Sequence, residues 1–334
     1  MRLRAGFLLA STFLAAVLSG PSQAQTPAQT PAQTLEKVLY LLPAPAARPA
    51  FGPWMVAKQR GYYAAEGLDI EFQTAKGGVD VAKQVGVGNA LIGGALGDTP
   101  IIVRGNDVPI KAVAVLGGGG LTQLMVHEDS DIKGPADLRG KTVTVLAYQD
   151  TTFYALLGML AQAGMTKNDV DIQAAGPSGI WQLFLAKKAV AMASAPDYIG
   201  YVQENGGKVR VIPGDEFFPS MAQAILASDK TIRERPDFVR KLVRATLRGM
   251  TDIIADPAGT AVDFVKAAPE NKGREETVQS IFEFYTQYVY RGQPKPGFID
   301  RQKLTKLQDF YVAQQIVEKA TPVDQLFTNQ FVGD

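Results

Sequence analysis

Cysteine is missing from this chain, and histidine occurs once, as His127. Without thiols there is no disulfide framework, no thiolate nucleophile and no Cys-ligated metal site, and the single imidazole has no second metal ligand at a suitable spacing. No Gly-x-Ser-x-Gly elbow occurs, and the run of four glycines at residues 117–120 carries neither the Lys-Ser/Thr of a P-loop nor a GxGxxG pattern. That run reads as a rim or a close approach of backbone. Excess charge is missing too: 34 basic side chains face 33 acidic ones. Such a balance provides no long-range attraction for nucleic acid or anionic lipid. Long apolar runs are also lacking. The most continuous one, residues 5–18, falls short of the roughly 20 residues that a membrane span needs.

That apolar run has another use. Arg2 and Arg4 precede it and the small-x-small sequence SQA at residues 22–24 follows it. These are the three parts of a cleaved secretory signal over residues 1–24. Its removal turns the formal net charge of +1 into −1. Export with no cysteine to carry a lipid anchor predicts a freely soluble periplasmic protein. Residues 25–34, QTPAQTPAQT, hold nothing that builds a core and read as a disordered leader. Folded structure is expected from Leu35, and the remaining roughly 300 residues predict two lobes rather than one core.

Short β-branched or apolar runs alternate with helical patterns along the chain. Strands are expected at residues 38–42, 69–72, 90–95 and 110–116, with helices between them. This is the βαβαβαβ order of a parallel, doubly wound lobe. The stretch 122–126 continues as a strand. A second α/β run opens with Thr-Val-Thr-Val at residues 142–145 and passes through a polar break into a helix over residues 151–163. Asp150 or Thr151 is placed to cap that helix. An apolar crossing strand at residues 221–226 precedes a change to helices only, which are expected to cover the first lobe.

Ligands of open α/β sheets lie beyond the carboxyl ends of the strands. The residues there are Trp54, Lys76, Gly77, Asp98, Thr99, Thr122, Gln149, Asp150, Thr151, Thr152, Asp197, Tyr198 and Phe217. Each has a plainer role available. Trp54 is either a stacking platform or a core plug, and Asp98 and Asp150 are equally good helix caps. No arginine, the usual planar clamp for a sulfonate or carboxylate, stands at these ends. Three carboxylates and several aromatics point instead to an amine-bearing or nitrogen-heterocyclic solute. A sulfonate, taurine or nitrate-type anion held by helix N-termini is the alternative.

The order of several loose motifs resembles the type II periplasmic substrate-binding proteins of ABC importers, in the nitrate/sulfonate/taurine and thiamine-precursor branch. The motifs are PWMVAKQRGYY at residues 53–63 with EGLDI at 66–70, KGGVD at 76–80, DIK at 131–133 with DLRGK at 137–141, and PDY at 196–198. Where that family usually has an acidic residue just before its third strand, this chain has Gly88-Asn89-Ala90. The resemblance implies two doubly wound α/β lobes joined by two hinge strands, with C-terminal helices packed on lobe one. Lobe one would take residues 35–126 plus 221–334, and lobe two residues 127–220. It further implies a monomer that binds a small-molecule ligand and delivers it to an inner-membrane permease with its ATPase, without cofactor and without catalysis. A thiamine-pathway enzyme shares the fold, but it resembles a cytosolic protein dependent on cysteine and histidine.

Overall fold

A computed structural model describes residues 34–333 apart from Gln149. The expected signal, residues 1–24, and the leader up to residue 33 lie outside the described residues. Ten strands among those described form two sheets of five. The first holds β1 (Glu36–Leu42), β2 (Leu68–Thr74), β3 (Ile92–Leu96), β4 (Ile110–Val115) and β10 (Gln223–Ser228). The second holds β5 (Gln123–His127), β6 (Thr142–Val145), β7 (Asp171–Ala174), β8 (Ala191–Ser194) and β9 (Val209–Ile212). β3, β8 and β10 are buried at every residue, which explains why they read as apolar runs rather than as alternating patterns.

Both sheets have the same plan. In the first, β2-β1-β3-β10-β4, β1 pairs parallel with β2 and β3, while β10 lies antiparallel between β3 and β4. In the second, β7-β6-β8-β5-β9, β6 pairs parallel with β7 and β8, while β5 lies antiparallel between β8 and β9. Parallel neighbours need a crossover, and the helices Gly52–Gln59, Gly78–Gly86, Thr151–Gln162 and Gly176–Leu185 supply it. One boundary differs from the sequence expectation. The strand expected to close lobe one, residues 122–126, is β5, and its hydrogen-bonded partners are both in the second sheet.

The chain therefore passes between sheets over residues 116–122 and returns over residues 213–222. The two passages bond to each other: Leu116 N–H donates to the Gln223 carbonyl (2.7 Å) and Leu121 N–H to the Met221 carbonyl (3.1 Å). Gly120 N–H donates to Asp215 Oδ2 at 2.7 Å. Three of the four glycines, Gly117 to Gly119, are needed because backbone from residues 288–292 lies directly on them, and Gly120 is crowded by Ser220 and Asp215 of the returning passage. Gly118 N–H donates to the Arg291 carbonyl (2.8 Å) and Gly119 N–H to the Val289 carbonyl (3.0 Å). A Cβ at Gly119 would sit 2.0 Å from the Tyr288 carbonyl oxygen, and Gly117 adds a φ of +122° to a similar clash with the Val289 oxygen. Lys303 completes the clamp by donating its Nζ to the Gly118 carbonyl at 2.7 Å.

The C-terminal helices pack on the first-sheet half, as expected, but they also reach the second. Pro236–Ala255 buries Val239, Leu242, Val243 and Met250 and covers Gly52–Gln59. Glu275–Tyr288 meets the helix Asp197–Glu204 of the second-sheet half. From Arg301–Ala313, Phe310 stacks edge-on against Phe218 (4.6 Å between ring centres) and Tyr311 lies 5.7 Å from Tyr154.

The glycine passage gives a direct test. Gly119→Ala forces fixed backbone apart and is expected to destabilise the protein by at least about 1–3 kcal/mol, the usual cost of overpacking. Gly105→Ala, where the backbone is helical and a Cβ meets nothing within 4 Å, serves as the control. It should be neutral or gain about 0.4–1 kcal/mol. Urea unfolding of the two variants measures the difference.

Candidate functional site

A cavity of about 730 Å³ opens where the carboxyl ends of both sets of parallel strands meet. The first-sheet half contributes the loop after β1, with Arg48, Phe51 and Trp54, the turn after β2, with Lys76 and Gly77, and Thr99 beyond β3. The second contributes Tyr148, Asp150, Thr151 and Thr152 after β6, and Asp197 and Tyr198 after β8. Leu121, from the first passage between the sheets, and Gln223, the first residue of β10, also line the cavity.

Nine of the sequence-derived candidates line this cavity: Trp54, Lys76, Gly77, Thr99, Asp150, Thr151, Thr152, Asp197 and Tyr198. Three others do not. Asp98 lies below the wall, where the Tyr311 hydroxyl donates to its Oδ2 at 2.6 Å. Thr122 is buried within the first passage between the sheets, and the Phe217 ring lies over Gly134 in the second-sheet half. Gln149 lies outside the described residues. Lone His127 is also away from the cavity, its ring stacked on Phe184 at 3.9 Å. Among the described residues no group of three or more His, Cys, Asp or Glu side chains is arranged to hold a metal.

Trp54 is a core side chain that also borders the cavity. It is fully buried, edge-on to Phe51 at 6.0 Å and tilted against Tyr40 at 6.2 Å, and yet it forms part of the cavity wall. Asp150 caps the helix Thr151–Gln162, its Oδ1 accepting from Thr152 N–H (2.8 Å) and Oγ1 (2.6 Å). Lys76 is exposed, and its backbone N–H is tied to Asp80 Oδ2 at 2.9 Å, which tightens the turn.

The expectation that no arginine reaches these strand ends is corrected by Arg48. Its Nε donates to Asp197 Oδ2 at 3.1 Å, its terminal nitrogen donates to the same oxygen, and its guanidinium lies 4.9 Å from the centre of the Tyr198 ring. Burial pulls the Arg48 pKa down, but the Asp197 carboxylate more than offsets this and holds it above the ordinary arginine value. The carboxylates are thus less available than counting them suggests, since Asp197 is neutralised and Asp98 is enclosed. Polar atoms without a protein partner occur among the lining residues instead. Trp54 Nε1, Thr99 Oγ1, Asp197 Oδ1 and Gln223 Oε1 are all buried and unbonded among the described residues. Unpaired buried polar atoms each cost roughly 1–3 kcal/mol, so a group of them around one gap marks a place where water or a solute completes the bonding.

Two sheets of this plan, with a ligand-sized gap at their joined strand ends, define the type II periplasmic binding protein fold. The chain belongs to the NMT1/THI5-like family, whose model matches residues 48–260. It is similar to the riboflavin-binding protein RibY of Chloroflexus aurantiacus, with 28% identity over 290 residues covering 84% of this chain and 82% of the relative. In fold it is similar to the periplasmic aliphatic sulphonate-binding protein SsuA of Escherichia coli, with a TM-score of 0.69, 17% identity, and 87% and 96% of the two chains covered. The periplasmic nitrate-binding protein NrtA of Synechocystis PCC 6803 superposes with a TM-score of 0.64, 13% identity, and 89% and 87% covered. Among the described residues no helix is long and apolar enough to cross a membrane.

Asp98 offers a titration test of the wall beneath the cavity. Burial pushes its carboxyl up to about 6 from an ordinary 3.8, against the opposing Tyr311 hydrogen bond. A carboxyl with a raised native pKa stabilises the fold fully below its unfolded value and loses that contribution as pH climbs through about 6. The difference is on the order of 3 kcal/mol. Asp98→Asn, which stays neutral and can still accept from Tyr311, is expected to match the parent near pH 4. It should exceed the parent by up to that amount at pH 8 in parallel urea titrations.

Proposed function

We propose that this chain is exported to the periplasm and acts there as the solute-binding component of an ABC importer, without catalysis. It captures a planar nitrogen heterocycle of flavin-like size and delivers it to a membrane permease. One observation carries the reading: the cavity of about 730 Å³ has an apolar and aromatic wall broken by a few buried, unpartnered polar atoms. Small-molecule sites have this composition, with flat apolar contact for affinity and sparse polar groups for orientation. Phe51, Trp54, Tyr148 and Tyr198 supply the aromatic surface, and Tyr148, more than half exposed, stands at the rim. The RibY relative, similar over most of both chains, supports a solute of this class.

A small anion is the weaker candidate. The cations that line the cavity are Arg48, whose charge is taken up by Asp197, and Lys76, which is exposed. A sulfonate or nitrate entering the gap would have to compete with Asp197 for Arg48, or rely on a solvated lysine.

Calorimetric and fluorescence titration with riboflavin, alongside alkanesulfonates and nitrate, tests the proposal. Riboflavin is expected to bind and to raise the melting temperature with concentration, by about 2.7 kcal/mol of stabilisation at a hundredfold excess over Kd. Tight sulfonate or nitrate binding with no flavin binding would sink it. Asp150→Ala and Thr151→Ala are expected to weaken riboflavin binding while costing no more than about 1 kcal/mol of stability, the size of a lost helix cap.

A further inference from the structure

Asp197 presents an asymmetry that its ion pair does not explain. Its side chain is fully buried, and Oδ2 takes both hydrogen bonds from Arg48. Oδ1 has no partner among the described residues, although Asp197 lines the cavity. A buried carboxylate oxygen whose lone pairs accept no hydrogen bond is among the most unfavourable groups to leave unmet, and only a donor can meet it.

The carboxylate is also held in place from both sides. Arg48 comes from the loop after β1, in the first-sheet half, and Asp197 opens the helix Asp197–Glu204 in the second. The other end of that helix is gripped by Arg274, whose Nε and terminal nitrogen donate to the two oxygens of Glu204 at 2.7 and 2.6 Å. With both ends of the helix tied to the opposite half, Oδ1 is a fixed acceptor.

We propose that Asp197 Oδ1 receives an N–H donor of the bound solute, with Arg48 as the positioning residue that orients the carboxylate. The inference rests on the flavin-like ligand class proposed above and deepens it. The isoalloxazine ring has one N–H, the imide between two carbonyls. The unpartnered donors among the lining residues, Trp54 Nε1–H and the Thr99 and Tyr198 hydroxyls, match those carbonyls in chemical kind.

The test compares riboflavin with 3-methylriboflavin, in which that N–H is replaced, by calorimetry on the mature chain. The methylated flavin is expected to bind about ten- to a hundredfold more weakly, the range for a hydrogen bond to a charged group. In Asp197→Asn the two flavins should bind within a few-fold of each other, because the charged acceptor is gone. Equal binding to the unaltered protein overturns the inference and leaves the ligand class standing. Discrimination that persists undiminished in Asp197→Asn assigns the effect to the size of the methyl group, and overturns it as well. Binding of neither flavin removes the ligand class and this inference together. Should Asp197→Asn fail to fold, the two flavins on the unaltered protein still decide between equal and unequal binding.

Discussion

Each sheet takes its one antiparallel strand from the chain as it arrives from, or returns to, the other sheet. β5 crosses into the second sheet and β10 crosses back into the first, each lying between two strands of the receiving sheet. This exchange governs the rest of the structure. It brings the two passages side by side and lets them bond to each other, and it turns the carboxyl ends of both parallel sets toward one gap. Strand ends, with their loops and following helix N-termini, are where an open α/β sheet presents free backbone donors and adaptable side chains. Doubling them around one space gives the cavity two independent walls. The glycines at residues 117–120 follow from the same constraint, since two passages and the segment 288–292 crowd into one layer where no Cβ fits.

Charge inside such a gap is costly, and this chain treats its buried carboxylates in two different ways. Asp197 is paired with a guanidinium from the other half. Asp98 is hydrogen-bonded by the Tyr311 hydroxyl and has no ion-pair partner among the described residues, and burial raises its pKa toward the neutral range. The difference follows from partners rather than from depth, because both side chains are essentially inaccessible. Lys303, whose pKa burial lowers, bridges the first passage and Asp215 and ties the C-terminal helix to the same region. Pairing and hydrogen bonding thus replace solvent around the cavity, which leaves its interior close to electrically neutral.

Much of this fold is legible from pattern alone, for a physical reason. The β-branched run at residues 142–145 stands out as a strand, and β6, buried at three of its four residues, has the same bounds; the edge strand β7, mostly exposed, also has its expected bounds at residues 171–174. Sheet membership is not written locally. Residues 122–126 look like any buried strand, and only long-range hydrogen bonds assign β5 to the second sheet. The candidate residues at strand ends were legible because caps and turns announce those ends. Asp98 and Thr122 occupy such ends but point their chemistry elsewhere, and nothing in residue type separates a wall from the layer behind it. Arg48 was missed because it lies in an Ala- and Pro-rich loop rather than at a strand end. The available signal was an isolated cation with no acidic residue nearby in sequence, a charge whose partner had to come from elsewhere in the fold.

The identity of the lining residues narrows the solute more than the fold does, because proteins sharing this architecture bind ligands as different as sulfonates and nitrate. An anion site needs a cation whose charge is not already balanced. Here the buried cation is balanced by Asp197, and the carboxylate that balances it has one oxygen to spare. On the proposed reading that arrangement calls for a hydrogen-bond donor, on a solute flat enough to lie among aromatic rings and uncharged enough not to disturb the pair. A neutral heterocycle with an N–H meets these conditions, whereas a sulfonate offers only acceptors and would face Asp197 Oδ1 with a second negative charge.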